Sequence, residues 1–187
     1  LSILAYIFGQ PGSGKTTLMR AICRDSRQVY EATTPVKHRG FSGKEGLFTV
    51  LGGDAFPFGG TDTLSYTTVK TASDWLEELC RCKAGSLVFA EGDRLANEGF
   101  FEKARKHYRL LTFHLCCSND LADDRRSQRA EEHRLKKQSA TWVKGRVTKA
   151  ENLAAKCGAS RLDATQTPEE LAAEVWRTIN GITRTAT

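Results

Sequence analysis

Residues 9–17 read Gly9-Gln10-Pro11-Gly12-Ser13-Gly14-Lys15-Thr16-Thr17. Gly9, Gly14, Lys15 and Thr16 stand at the spacing G-x-x-x-x-G-K-[ST]. An apolar run, Leu1-Ser-Ile-Leu-Ala-Tyr-Ile-Phe8, precedes this stretch, and Leu18-Met-Arg-Ala-Ile-Cys23 follows it. A glycine-rich turn between a buried strand and a helix is a phosphate cradle. Its N–H groups converge, and the helix N-terminus adds partial positive charge. Gly12, Ser13 and Thr17 belong to the same cradle. Lys15 is expected to reach the β- and γ-phosphates of ATP, and the Thr16 hydroxyl to ligate magnesium.

Such a loop needs an acidic group near the metal. Leu87-Val-Phe-Ala-Glu91 is four apolar residues ending in a carboxylate, the pattern of a buried strand that delivers an acid at its carboxyl end. Glu91 is a candidate to hold magnesium through water, or to take a proton from an attacking hydroxyl. Asp93 competes for either role. Asp54 and Asp62 lie in the glycine-rich stretch 52–62, and loops at the carboxyl ends of strands form the ligand crevice of open α/β sheets. Each of these acids is also compatible with a plain turn role.

Charge is unevenly distributed. Residues 1–93 hold 10 basic and 10 acidic groups, residues 94–149 hold 14 and 7, and residues 150–187 hold 4 and 5. The excess is therefore confined to one segment, which suits a polyphosphate, a phosphorylated substrate or nucleic acid. Within it, Arg125, Arg126 and Arg129 can supply a lid arginine over the γ-phosphate. Trp142-Val-Lys-Gly-Arg-Val-Thr-Lys149 alternates basic with apolar residues. Trp142 suits stacking on a base or anchoring the lid, and Lys144, Arg146 and Lys149 suit phosphates.

These groups are positioned by strand–helix alternation. Strands are expected at residues 1–8, 28–33, 47–51, 86–90, 110–116 and 160–164. Residues 38–46 read as a polar, glycine-rich hairpin or loop. Helices are expected after the cradle, then around Trp75, Leu76 and Leu79 with Ser73 as N-cap, and over residues 96–107 and 120–137. Residues 138–149 read as a basic loop and 151–156 as a short helix. Thr167, Pro168 and Glu170 form a capping box that opens the last helix, with Leu171, Val175 and Ile179 on one face. The alternation predicts a mostly parallel sheet with helices on both faces. The 187 residues suit a single domain, with a lid at about 120–150. No apolar run reaches the roughly 20 residues of a membrane span. The six cysteines lack a C-x-x-C pair, which points away from zinc and toward a reducing cytoplasm.

Taken together, four stretches resemble small P-loop kinases of the nucleoside and nucleotide kinase group. They are residues 9–17, Glu91-Gly-Asp-Arg94, Arg125 to Arg129, and Leu162-Asp-Ala-Thr-Gln-Thr-Pro-Glu-Glu-Leu171. The resemblance implies a five-stranded sheet of order 2-3-1-4-5, ATP and magnesium. Gly60-Thr-Asp-Thr-Leu-Ser65, Phe89-Ala-Glu-Gly-Asp-Arg-Leu-Ala-Asn97 and Thr141-Trp-Val-Lys-Gly-Arg-Val-Thr-Lys149 are similar to bacteriophage 5-hydroxymethyluracil DNA kinases. That resemblance implies DNA as the acceptor, and makes Asp62, Glu91, Asp93 and Arg94 acceptor-side or magnesium-side residues. The competing readings are a kinase of a free nucleotide or small metabolite, and a DNA-stimulated ATPase or nucleotide switch.

Overall fold

The structure, a computed structural model, describes residues 1–54, 59–82 and 86–185. The first strand, β1 (Ile3–Phe8), is buried along its whole length. Its side chains alternate between two cores. Leu4, Tyr6 and Phe8 pack with Trp75, Leu76, Phe100, Phe101 and Leu153. Ile3, Ala5 and Ile7 pack with Leu18, Ile22, Phe113 and Val175 on the other face. This period-2 division explains why the run has no polar face to show.

The elements around β1 follow in chain order: α1 (Lys15–Cys23), β2 (Arg27–Ala32), β3 (His38–Gly43), β4 (Gly46–Leu51), α2 (Thr68–Cys82), β5 (Leu87–Glu91), α3 (Glu98–Arg105), β6 (Arg109–Cys116), α4 (Asn119–Glu132), α5 (Ala140–Cys157), β7 (Ser160–Asp163) and α6 (Pro168–Thr185). The sheet runs β2-β3-β4-β5-β1-β6-β7. Helices α1 and α6 cover one face. Helices α2, α3 and α5 cover the other. No described helix is long and apolar enough to cross a membrane.

The five-stranded expectation is corrected to seven strands. The strands β4-β5-β1-β6-β7 are mutually parallel, while β2 and β3 add an antiparallel extension at one edge. Of the two readings of residues 38–46, hairpin or loop, the hairpin holds: they form strand β3 and the turn into its antiparallel partner β4. Their glycines suggest a loop, but Gly40 lies under the Tyr30 ring, and a Cβ there would overlap that ring. A glycine in a strand here marks close approach, not a break. Within the parallel set, the second strand in chain order is therefore β4, not the 28–33 stretch.

Three helix boundaries also differ. Ser73 lies inside α2, where its hydroxyl donates back to the Val69 carbonyl at 2.9 Å. Residues 140–149 of the stretch expected as a basic loop, 138–149, are helical. Ser139 caps α5 by accepting from the Trp142 N–H, and the helix absorbs the short one expected at 151–156. Helix α4 ends at Glu132, before Arg134 adopts a left-handed φ of 52°. The capping box at α6 forms as expected: the Thr167 N–H donates to Glu170 Oε2 at 2.9 Å, and the Glu170 N–H donates to Thr167 Oγ1 at 3.3 Å. Within the glycine-rich loop 52–62, residues 55–58 lie outside the described residues.

Phe101 is fully buried, with its ring 5.1 Å from Tyr6 and 6.1 Å from Phe8. Phe101→Ala is expected to destabilise the fold by about 3–5 kcal/mol, seen as a lower urea midpoint. A loss below about 1 kcal/mol would contradict this account of the core.

Candidate active site

The carboxyl ends of the parallel strands open on a cavity of about 830 Å³. That lies within the range of roughly 300–1,000 Å³ usual for ligand sites, toward its upper end. Residues 9–14 form its floor, between β1 and α1. Gly12 and Gly14 have φ of 87° and 98°, conformations a side chain resists. A Cβ on Gly12 would also overlap the Ala122 carbonyl oxygen, so α4 rests directly on this turn. Gly14 caps α1 without any side-chain hydrogen bond, which leaves the first N–H groups of the helix for a ligand. Lys15 folds over the turn and donates to the carbonyls of Gly9 and Gln10 at 3.0 Å each. Ser13 is buried, and its hydroxyl has no hydrogen-bond partner among the described residues. Thr16 and Thr17 line the cavity beside it. A converging, uncapped donor set of this kind fits the phosphates of ATP.

Glu91 ends β5, level with Ile7 of β1. It is 1% exposed, and its Oε1 accepts from the Thr16 hydroxyl at 2.9 Å. Burial pushes its carboxyl up to about 7, against a downward pull from Lys15, and the Asp62 charge raises it further. A hydroxyl touching a buried carboxylate that ionises reluctantly fits magnesium, with water and substrate phosphates completing the shell. Among the described residues no larger His, Cys, Asp or Glu cluster offers a metal site.

The other acids separate. Asp62 sits in a short 3-10 turn, Thr61–Thr63. Its Oδ1 accepts the N–H groups of Asp93 and Arg94 at 2.9 and 3.1 Å, so it braces the turn that follows Glu91 while lining the cavity. Asp93 pairs with Arg146 and with Lys149 Nζ at 2.8 Å. The Arg94 guanidinium lies 3.5 Å from the Tyr66 ring centroid. Asp54 does not reach the main cavity. It pairs with Arg20 at 2.9 Å and Arg39 at 3.5 Å, beside a separate 210 Å³ pocket behind Thr16.

The lid residues separate as well. Arg125 ties the cradle to the segment after β7, donating to the Ser13 carbonyl at 3.2 Å and the Ala164 carbonyl at 3.0 Å. Arg126 donates to the Pro11 carbonyl at 2.6 Å. Arg129 lies one turn beyond Arg125 and lines the cavity. Burial lowers its pKa, and the Asp62 charge counters that. Trp142 lines the cavity and is 41% exposed, with Arg146 at 5.2 Å from its ring. Lys144 does not line this cavity. It faces an 800 Å³ groove on the other side of the lid, between α4 and α5. Sequence reasoning missed Tyr66, which is 80% exposed on the cavity rim. Its only signal was an aromatic residue within the polar run Ser65-Tyr66-Thr67.

A family model described as P-loop Nucleotide Kinase3 matches residues 2–173. No curated protein matches the chain significantly. Among solved structures, the chain is similar to a sugar kinase from Janibacter sp. HTCC2649, with 12% identity, 96% of this chain and 95% of that one covered, and a TM-score of 0.55. A gluconokinase from Sinorhizobium meliloti 1021 gives 13%, 99%, 98% and 0.55 in the same order. Shikimate kinase from Aquifex aeolicus vf5 gives 16%, 97%, 98% and 0.51. At these identities the likeness is one of fold.

The Glu91 carboxyl has a pH consequence. Its pKa is about 7 when folded, against an ordinary 4.5. Between these values the folded chain keeps a proton that the unfolded chain has lost. Stability of the ligand-free protein therefore falls as pH rises through that window. Glu91→Gln should match the parent near pH 4.5 and exceed it by about 3 kcal/mol above pH 7. Urea unfolding at several pH values reads this directly, and a gap independent of pH would contradict the burial effect.

Proposed function

The chain belongs to the P-loop Nucleotide Kinase3 family and is a P-loop kinase, and from that premise we propose that it transfers the γ-phosphate of ATP to an oxygen of a free nucleotide or small metabolite. The observation that carries this reading is a single cavity lined by the phosphate cradle and by Asp62, Tyr66, Asp93, Arg94 and Trp142. A donor and a small acceptor fit side by side in a space of that size.

Each residue has a part that follows from its place. The acceptor oxygen attacks the γ-phosphorus, the bond to the β–γ bridging oxygen breaks, and ADP departs. The first-turn N–H groups of α1 and Lys15 hold the phosphates, with Lys15 leaving its two loop carbonyls to do so. Arg129 neutralises charge on the transferring group, while Arg125 keeps the cradle fixed against the Ala164 segment. Glu91 lines the pocket behind Thr16 and meets the cavity through the Thr16 hydroxyl, which favours a place beside the metal. Asp62, which lines the cavity, is the acid that takes the acceptor proton. Thr16 and Glu91 would hold magnesium, which supplies charge neutralisation at the β- and γ-phosphates.

The finer expectation, an acceptor carried in DNA, rests on the resemblance of residues 60–65, 89–97 and 141–149 to the bacteriophage enzymes, with which the basic segment agrees. Arg146 and Lys149 are engaged with Asp93 inside the cavity, and Lys144 faces away from it. Nothing in the family match or the three solved structures points to DNA. A free acceptor is the better supported reading.

Incubation with γ-labelled ATP tests it, using nucleosides, monophosphates, sugars and hydroxy acids, with hydroxymethyluracil DNA in parallel. Label is expected on a free small acceptor. Label on the DNA alone would overturn the reading. Lys15→Ala and Arg129→Ala are each expected to lower kcat by about a hundredfold or more. Arg125→Ala is expected to act mainly on KM for ATP, and an effect confined to kcat would refute its positioning role.

A further inference from the structure

The part of the cavity lined by α5 and the turn after β5 has more positive charge than its acids neutralise. Asp93 is bound by two cations at once. Arg146 donates to its Oδ2, and Lys149 Nζ donates to Oδ1 at 2.8 Å and to the Asp93 carbonyl at 3.1 Å. Arg94 is the next residue in the chain. Its guanidinium is stacked on Tyr66, its Nη2 donates to the Asp62 carbonyl at 3.5 Å, and its Nη1 is buried without a hydrogen-bond partner among the described residues. The remaining acid, Asp62, has its Oδ1 committed to two backbone N–H groups. Arg94, Arg146 and Lys149 thus face Asp62 and Asp93, and all five line the same cavity as the cradle.

Both features ask for the same ligand. A buried donor with no acceptor costs about 1–3 kcal/mol, which an incoming oxygen recovers. A planar guanidinium suits the paired oxygens of a phosphate or carboxylate. One unneutralised positive charge favours an anion over a neutral hydroxyl compound.

We infer that Arg94, Arg146 and Lys149 form an anion subsite for the acceptor, and that Asp93 occupies it when no acceptor is bound. The acceptor then carries a phosphate or carboxylate group besides the oxygen that is phosphorylated. Its anionic group takes over Arg146 and Lys149 and satisfies Arg94 Nη1. Asp93 is displaced toward the acceptor's neutral groups. Arg146 and Lys149 lie on α5 and Asp93 follows β5, so the exchange also sets how α5 sits against the sheet. This inference rests on the kinase reading above, because it takes the cradle as the donor side.

The two sides can be tested separately. Binding of a non-hydrolysable ATP analogue with magnesium is measured first, with Lys15→Ala as the negative control. The analogue is then held at saturation so that the cradle is filled, and inorganic phosphate or malonate is titrated calorimetrically. One of these anions is expected to bind with one-to-one stoichiometry, and the tighter one tells whether phosphate or carboxylate is recognised. Arg94→Ala and Lys149→Gln should each weaken that binding by about tenfold or more. Asp93→Asn, which removes the competing carboxylate, should tighten it.

Tightening is the diagnostic result. An Asp93 that merely holds α5 in place would, when neutralised, loosen the subsite and weaken binding. Normal analogue binding with no anion binding would overturn this inference and leave the kinase reading intact. Unchanged anion binding in Arg94→Ala, or weaker binding in Asp93→Asn, would overturn it as well. Failure of the parent protein to bind the analogue would strike the kinase reading and this inference with it.

Discussion

Everything at the site depends on β1 lying between β5 and β6. The pairing is parallel on both sides, with Ile7 level with Glu91 on one and with Phe113 on the other. Parallel strands end at the same edge, so the segments that follow them emerge together. After β1 comes the cradle, after β5 the turn Gly92–Arg94, and after β6 the Ser118 cap of α4. The hydrogen bond joins Thr16 to Glu91, 75 positions apart in the chain, because β1 and β5 end side by side. A strand buried on both faces cannot slip by one residue without moving its entire apolar set to the wrong core, which holds this register firmly.

The site itself is built from charges, and most of them are already engaged. Arg125 and Arg126 are bound to carbonyls of the cradle and the Ala164 segment. Arg146 and Lys149 are bound to Asp93. Lys15 is bound to the loop that it would leave for a phosphate. A free polycationic surface would attract polyanions along its length. Here the arginines and lysines hold the walls of an open cleft in place, which suits small charged ligands taken one at a time. Glu91 is the counterpoint: a buried carboxylate that accepts a hydrogen bond from the Thr16 hydroxyl, whose reluctance to ionise makes it responsive to a cation or a proton.

Much of this was legible without coordinates. The cradle, the acid at the end of the fourth expected strand and the capping box at Thr167 all depend on neighbouring residues, and local sequence carries that information. The undecided and misread stretches share a cause. The glycines of residues 38–46 leave hairpin and loop both open in the sequence, because glycine usually breaks a strand, whereas Gly40 makes room for Tyr30 across the pairing. Residues 138–149 were read as a loop because their apolar face is weak. Only Ala150 and Leu153 of α5 are deeply buried, so the helix shows little periodicity to detect.

The sequence by itself determined that this chain carries the pattern of a phosphate cradle in a turn between a strand and a helix, and that basic charge is concentrated in one later segment. Both follow from residue type and short spacing. Only the tertiary structure decided what each charge faces. It put Asp54 outside the cavity, gave Asp62 to the turn after Glu91, and set Arg146 and Lys149 against an aspartate 53 and 56 positions away. The physical reason is that an ion pair depends on distance in space, and that distance is set by strand order and helix placement across the whole fold.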